Sequence, residues 1–134
     1  MTAKVFTWAE LELKNNESAM TQDEINLTER KCEACTPETP PLRGEKLQQY
    51  YKRLDEGWQL VDNHHLSKTY RFKNFRQALD FTIKIGELSE EEGHHPEIVL
   101  TWGRVKVTVY THAIDALSEN DFIWAAKADE LFKG

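Results

Sequence analysis

The fold is decided by residues 98–110, whose sequence is IVLTWGRVKVTVY. From Val105 to Val109 valine occupies alternate positions, which is the two-residue period of a half-buried antiparallel strand. Residues 98–102 form a preceding run that also favours a strand. Gly103-Arg104 between the two runs suits a two-residue type II′ turn. The segment therefore predicts a β-hairpin.

Outward from this hairpin, the sequence predicts five further elements. The first is a helix that ends at Gly57 and has the apolar stripe Leu47, Tyr50, Tyr51 and Leu54. Two strands follow, over 58–61 and 66–72, joined by a turn at 62–65. The second helix is capped by Asn74, runs to about Glu91 and has the core face Phe75, Ala78, Leu79, Thr82 and Ile85, and the third helix is capped by Ser118. The order α-β-β-α-β-β-α predicts an α+β fold, in which three helices pack on one face of a four-stranded antiparallel sheet.

The third helix has a specific start signal. Ser118 and Asp121 have the spacing of a capping box, and Leu117 and Phe122 have that of a hydrophobic staple. Asp121 is therefore expected to be a structural residue of the helix. Phe122 and Ile123 lie off the main apolar stripe, which indicates surface for a subunit interface.

Composition excludes several classes of protein. The chain has 134 residues and a net charge of −6, which argues against a nucleic-acid surface because phosphate contacts need clustered Lys and Arg. No apolar run approaches the roughly 18–20 residues of a membrane span. The first residues lack the apolar stretch of a secretory signal, so a cytoplasmic location is expected.

Residues 1–41 are polar and end in a proline-rich linker, which predicts a loosely ordered arm ahead of a single domain at 42–134. The chain's two cysteines, Cys32 and Cys35, lie in this arm. A zinc ribbon would need a second such pair. A redox pair or half of a metal site are the alternatives to two plain thiols, and the sequence gives the cysteines no role.

Chemistry is indicated by His94-His95-Pro96 and by His112. Pro96 favours extended backbone at the histidine pair, and the tight hairpin should bring that pair close to His112. Imidazole both gives and accepts protons near neutral pH. Glu90, one helical turn before His94, could orient an imidazole. Surface histidines or a three-histidine metal site are the alternatives, whereas His64-His65 is expected in a solvated turn.

These residues resemble a known family. Their order and spacing reproduce the signature of the pterin-4a-carbinolamine dehydratases: Glu90, three residues, His94-His95-Pro96, five residues, Trp102, nine residues, His112, eight residues and Asp121. The resemblance covers roughly residues 42–132.

The resemblance implies dehydration of a 4a-hydroxytetrahydropterin to the quinonoid dihydropterin during tetrahydropterin recycling, with no cofactor and no metal. His94 and His112 match the acid/base histidines, His95 matches the histidine that holds substrate, and Glu90 matches an acidic position. Pro96, Trp102 and Thr111 are further predicted substrate contacts. The expected partners are the pterin and other copies of the chain, as a homodimer or homotetramer. Because family members also act as binding proteins, a non-catalytic protein-binding module is the alternative function.

Overall fold

The computed structural model describes residues 25–134. Residues 25–30 belong to a compact unit separate from residues 31–134, and contain a short 3-10 turn at Leu27–Glu29. The part of the expected arm before residue 25 lies outside the described residues.

Within the described residues, unit 31–134 contains three helices and four strands in the expected order. They are α1 (Gly44–Lys52), β1 (Gln59–Val61), β2 (His65–Arg71), α2 (Phe75–Glu92), β3 (Glu97–Thr101), β4 (Arg104–Val109) and α3 (Glu119–Lys133), with a 3-10 turn at His112–Ile114. All pairings in the sheet are antiparallel, in the order β1-β2-β4-β3. The predicted α+β fold class is confirmed.

The alternation in β4 determines which face of the sheet is covered. Val105, Val107 and Val109 are fully buried beneath the helices, together with Leu66 and Tyr70 of β2. Residues between the valines lie on the opposite face, because successive strand side chains point to opposite sides. The sheet therefore has one apolar face for the core and one polar, more accessible face.

Three local predictions were wrong. Helix α1 ends at Lys52, and Gly57, although its φ is +100°, lies in the following loop. The hairpin turn is Trp102-Gly103, one residue earlier than expected, because Arg104 already pairs with Thr101. In α2 the predicted core residues Ala78 and Ile85 are fully buried, but Phe75 is 44% exposed. Phe81 and Leu88, which were not predicted, complete the buried face, so the predicted stripe is only partly correct.

Helix α3 begins as predicted and packs differently from the prediction. The capping box of Ser118 and Asp121 is present. Phe122 and Ile123, expected at a subunit interface, are 0% and 1% exposed within the single chain. The ring of Phe122 meets Tyr50 of α1 edge-on, at a centroid distance of 5.6 Å. The extra apolar surface of α3 is therefore covered by the chain itself.

Residues 31–41 are bonded to the rest of their unit. The Cys32 N–H donates to Glu92 Oε1 at 2.8 Å, and Glu33 exchanges two hydrogen bonds with the Asn120 side chain, at 3.0 and 2.8 Å. Burial raises the pKa of Glu92, but the hydrogen bonds from Cys32 and Lys127 outweigh it, so the pKa is lowered overall. Residues 31–134 therefore form one compact unit, to which the 31–33 segment is hydrogen-bonded.

A buried carboxylate joins β2 to α3. Asp129 Oδ1 accepts hydrogen bonds from Lys68 Nζ at 2.8 Å and from the Tyr70 hydroxyl at 2.6 Å, and Oδ2 accepts one from Trp58 Nε1 at 2.9 Å. Burial and the Asp129 carboxylate both raise the pKa of Tyr70, so its hydroxyl stays a donor. The cluster fixes α3 against the sheet.

Candidate active site

A cavity of about 480 Å³ lies where β3 begins and β4 ends. Its lining residues are His95, Pro96, Glu97, Thr108, Tyr110 and His112. Glu97 pairs with Thr108 across the hairpin, so the residues just before β3 lie beside those just after β4. The antiparallel register thus brings His95 and His112, seventeen residues apart, to one cavity.

His95 enters the cavity from the short segment between α2 and β3 and is held by the end of α2. Its Nε2 lies 2.6 Å from Glu90 Oε2, and both side chains are largely exposed. Gly93 caps the C-terminus of α2, and its φ of +64° allows the chain to turn sharply toward β3. The Glu90 carboxylate can therefore orient the imidazole.

His112 is held by aromatic stacking. Its ring lies on Tyr110 with a centroid distance of 4.3 Å and an interplanar angle of 26°. The His64 ring contacts the same tyrosine at a centroid distance of 4.6 Å, and His64 Nε2 lies 2.9 Å from Asp115 Oδ1. His64 thus contacts a wall of the cavity, a contact that a solvated turn does not predict, but neither His64 nor His65 is among the residues that line it.

His94 occupies a different environment from its neighbour. It is 5% exposed, and its Nε2 lies 2.6 Å from Oδ1 of the fully buried Asp121. An ionised carboxylate only accepts hydrogen bonds, so Nε2 carries the proton and Nδ1 is left to face Cys35 Sγ at 3.6 Å. His94 is not among the residues that line the cavity.

Asp121 is shared between the helix cap and His94. While Oδ1 faces His94, Oδ2 accepts from the Ser118 N–H at 2.9 Å and from the Thr111 hydroxyl at 2.8 Å. Thr111, a predicted substrate contact, is therefore fully buried in this cluster and does not line the cavity. The capping pattern predicts the helix contacts of Asp121 but not the contact with the histidine.

Trp102 lies at the opposite end of the hairpin from the cavity. It is 68% exposed in the turn between β3 and β4, beside Arg71 and Phe72. The structure does not bring it to His95 and His112 within one chain. Glu97, Thr108 and Tyr110 line the cavity instead, and sequence reasoning missed them. The alternation with the buried valines was the available signal, since it places Thr108 and Tyr110 on the open face of the sheet.

Nowhere in 25–134 do three or more His, Cys, Asp or Glu side chains form a group that could hold a metal ion. Over the same residues, no helix is both long and apolar enough to cross a membrane.

A small α+β domain that presents paired imidazoles and carboxylates at a cavity is typical of an acid/base enzyme. The family model described as pterin 4 alpha carbinolamine dehydratase matches residues 40–131. The chain belongs to this family. The family name describes an enzyme that removes water, so the protein is classified as a hydro-lyase.

Similar proteins agree with this classification. A relative carrying the pterin-4-alpha-carbinolamine dehydratase name from Alkaliphilus metalliredigens is 50% identical over 105 residues, covering 78% of this chain and 95% of the relative. Another with that name, from Rubrobacter xylanophilus, is 51% identical and covers 78% and 97%. The crystal structure of a transcriptional coactivator/pterin dehydratase from Brucella melitensis has a TM-score of 0.64 and 29% identity, and covers 69% of this chain and 98% of that one.

Proposed function

We propose that this protein dehydrates a 4a-hydroxytetrahydropterin to the quinonoid dihydropterin and water, in the cytoplasm, as a step of tetrahydropterin recycling. The observation that carries the proposal is the cavity that His95 and His112 share. Its volume lies within the roughly 300–1,000 Å³ of small-molecule sites. Family membership supplies the substrate class.

The chemistry needs one proton delivered and one removed. The C4a–O bond breaks when the hydroxyl leaves as water, and the electron pair comes from the neighbouring ring nitrogen, which loses its proton. A general acid and a general base are therefore both required. Imidazole is the side chain that can serve as either near neutral pH.

The geometry supports a role for each histidine. His112, exposed in the cavity and stacked on Tyr110, is proposed to exchange protons with the substrate. His95, oriented by Glu90, is proposed to hold the pterin. His94 keeps its proposed part in acid/base catalysis, although it does not line the cavity: its Nε2 is bonded to Asp121, so Nδ1, which faces Cys35, is the nitrogen that can exchange a proton.

A ligand titration tests the substrate class without relying on turnover. Adding 7,8-dihydrobiopterin, a stable relative of the product, should shift the imidazole NMR signals of His95 and His112 in a saturable way. The signals of His65, outside the cavity, should move much less. If all five histidines keep their shifts at saturating ligand, the cavity is not a pterin site.

Asp121 and Ser118 provide a matched pair of variants. Both Asp121→Asn and Ser118→Ala weaken the cap of α3, and each should cost about 0.5–2 kcal/mol of stability. Only Asp121→Asn also removes the charged partner of His94, so its kcat should fall by about tenfold or more while Ser118→Ala keeps most of its activity. Thermal melts and kinetics below the melting range separate the two effects. Equal activity in both variants would leave Asp121 with the capping role alone.

We also propose a homo-oligomer, a dimer or a tetramer. Strands β1 and β3 are the edges of the sheet over the described residues, and open edges favour pairing with another chain. Exposed apolar side chains, Val99 and Trp102, lie on or next to β3. Light scattering at micromolar concentration should give at least twice the 15.6 kDa chain mass. A monomer under these conditions would contradict the proposal.

A protein-binding role is the second candidate, favoured by the coactivator name of the similar Brucella protein and by Trp102, which is exposed in the hairpin turn. This candidate predicts a stoichiometric protein partner in pull-downs and no acceleration of dehydration. His95→Ala and His112→Ala should then leave partner capture unchanged.

A further inference from the structure

Cys35, for which the proposed function has no use, lies at the end of a hydrogen-bonded chain of side chains. Its Sγ is 3.6 Å from His94 Nδ1, and His94 Nε2 is 2.6 Å from Asp121 Oδ1. The order thiol, imidazole, carboxylate is the arrangement that activates a cysteine, because the imidazole can take the thiol proton while the carboxylate stabilises the resulting cation.

A second group acts on the same sulfur. Asn120 Nδ2 donates to Cys35 Sγ at 3.3 Å, and it also donates to the Glu33 carbonyl at 2.8 Å. Asn120 is 6% exposed and belongs to the first turn of α3. This side chain therefore fixes the 33–35 segment against the helix and places a donor on the sulfur. Cys35 is half-buried, which leaves it within reach of small reagents.

Cys32, three residues away, has the opposite surroundings. Burial, followed by the nearby Glu92 carboxylate, raises the pKa of the Cys32 thiol to about 12. Its Sγ donates to the Asn120 carbonyl at 3.5 Å. Because the thiolate is the nucleophile, Cys32 should be inert near neutral pH. The chain thus holds two thiols of contrasting character and no others.

We propose that Cys35 is a modification site for peroxides and small electrophiles, and that its oxidation disturbs His94. The sulfur attacks hydrogen peroxide, a new S–O bond forms and the O–O bond breaks. The thiol proton passes through His94 Nδ1 to the departing hydroxide, which leaves as water. Sulfur is oxidised by two electrons to a sulfenic acid, peroxide is reduced, and a thiol reductant reverses the change.

The consequence for activity rests on the proposed function. A sulfenic oxygen inserted into the 3.6 Å gap between Cys35 Sγ and His94 Nδ1 must displace the ring or become its new partner. Either outcome alters the proton that His94 can give or take through Nδ1. Oxidation of the Cys35 sulfur would therefore lower dehydratase turnover without any change in the cavity itself.

Two single-thiol variants of the full chain test the reactivity. Cys32→Ser leaves Cys35 alone, and Cys35→Ser leaves Cys32 alone, so intact-mass measurement of iodoacetamide labelling reports one sulfur in each. In the folded proteins Cys35 should label about tenfold faster or more. In urea, where both surroundings are lost, the two rates should converge. Equal rates in the folded proteins would overturn the proposal.

Peroxide treatment tests the oxidation and its effect. Dimedone should trap a sulfenic acid in Cys32→Ser but not in Cys35→Ser. Against each variant's own untreated rate, peroxide should lower dehydratase turnover of Cys32→Ser, with recovery in dithiothreitol, and spare Cys35→Ser. Trapping without loss of turnover would refute the link to His94. If the untreated protein has no dehydratase activity, the proposed function fails, and the labelling ratio still decides whether Cys35 is the reactive thiol.

Discussion

His112→Ala should lower kcat for pterin dehydration by about 10²–10⁴-fold, the range that a positioned general acid or base contributes. The ring lies in the cavity and is held by Tyr110, so its removal takes away the proton-exchanging group and leaves the fold intact. Because His112 is exposed, circular dichroism and the melting temperature should stay close to those of the parent.

His95→Ala should have a different kinetic signature. If His95 mainly holds the pterin, its loss raises KM more than it lowers kcat, since binding that is equal in ground and transition states appears in KM. His65→Ala serves as the control, because its ring does not line the cavity. Comparable losses of kcat in His65→Ala and His112→Ala would mean that the catalytic cavity has been misidentified.

Asp129→Ala should be the most destabilising single change among the polar residues of the core. It leaves the Lys68 ammonium, the Tyr70 hydroxyl and the Trp58 N–H without their shared acceptor. Removing one partner of a buried charged pair costs about 3–5 kcal/mol. For a domain of this size, that loss lowers the melting temperature by about 10 °C or more.

Asp80→Ala is the matched control for Asp129→Ala. Asp80 lies on the surface of α2, where its Oδ1 is 3.7 Å from Arg76 Nη1, and both side chains are more than half exposed. Surface pairs contribute about 0–1 kcal/mol, so this variant should melt within a few degrees of the parent. Similar melting temperatures for the two variants would show that the Asp129 cluster does not hold α3 to the sheet.

Much of the fold could be predicted from sequence because its signals are local. The valine alternation of β4, the Asn74 cap of α2 and the capping box of α3 act over a few residues and are all present. The burial of Phe122 and Ile123 could not be predicted the same way. It depends on α1 packing against α3, a contact between distant parts of the chain.

The candidate site was partly predictable for the same reason. Hairpin geometry is local, so proximity of His95 and His112 follows from the register. The partners of His94 come from elsewhere: Asp121 begins α3, and Cys35 precedes α1 by nine residues. Only the packing of these segments brings Asp121 and Cys35 to the His94 imidazole, and no local sequence pattern predicts that packing.

The measurement that tests the central proposal most directly is the ultraviolet-monitored decay of freshly generated 4a-hydroxytetrahydropterin. The native protein should accelerate the decay in a saturable manner, and EDTA should leave the rate unchanged. The His112→Ala protein, at equal concentration, should return the decay close to the uncatalysed rate. No acceleration by the folded native protein, or equal acceleration by His112→Ala, would contradict histidine-catalysed dehydration.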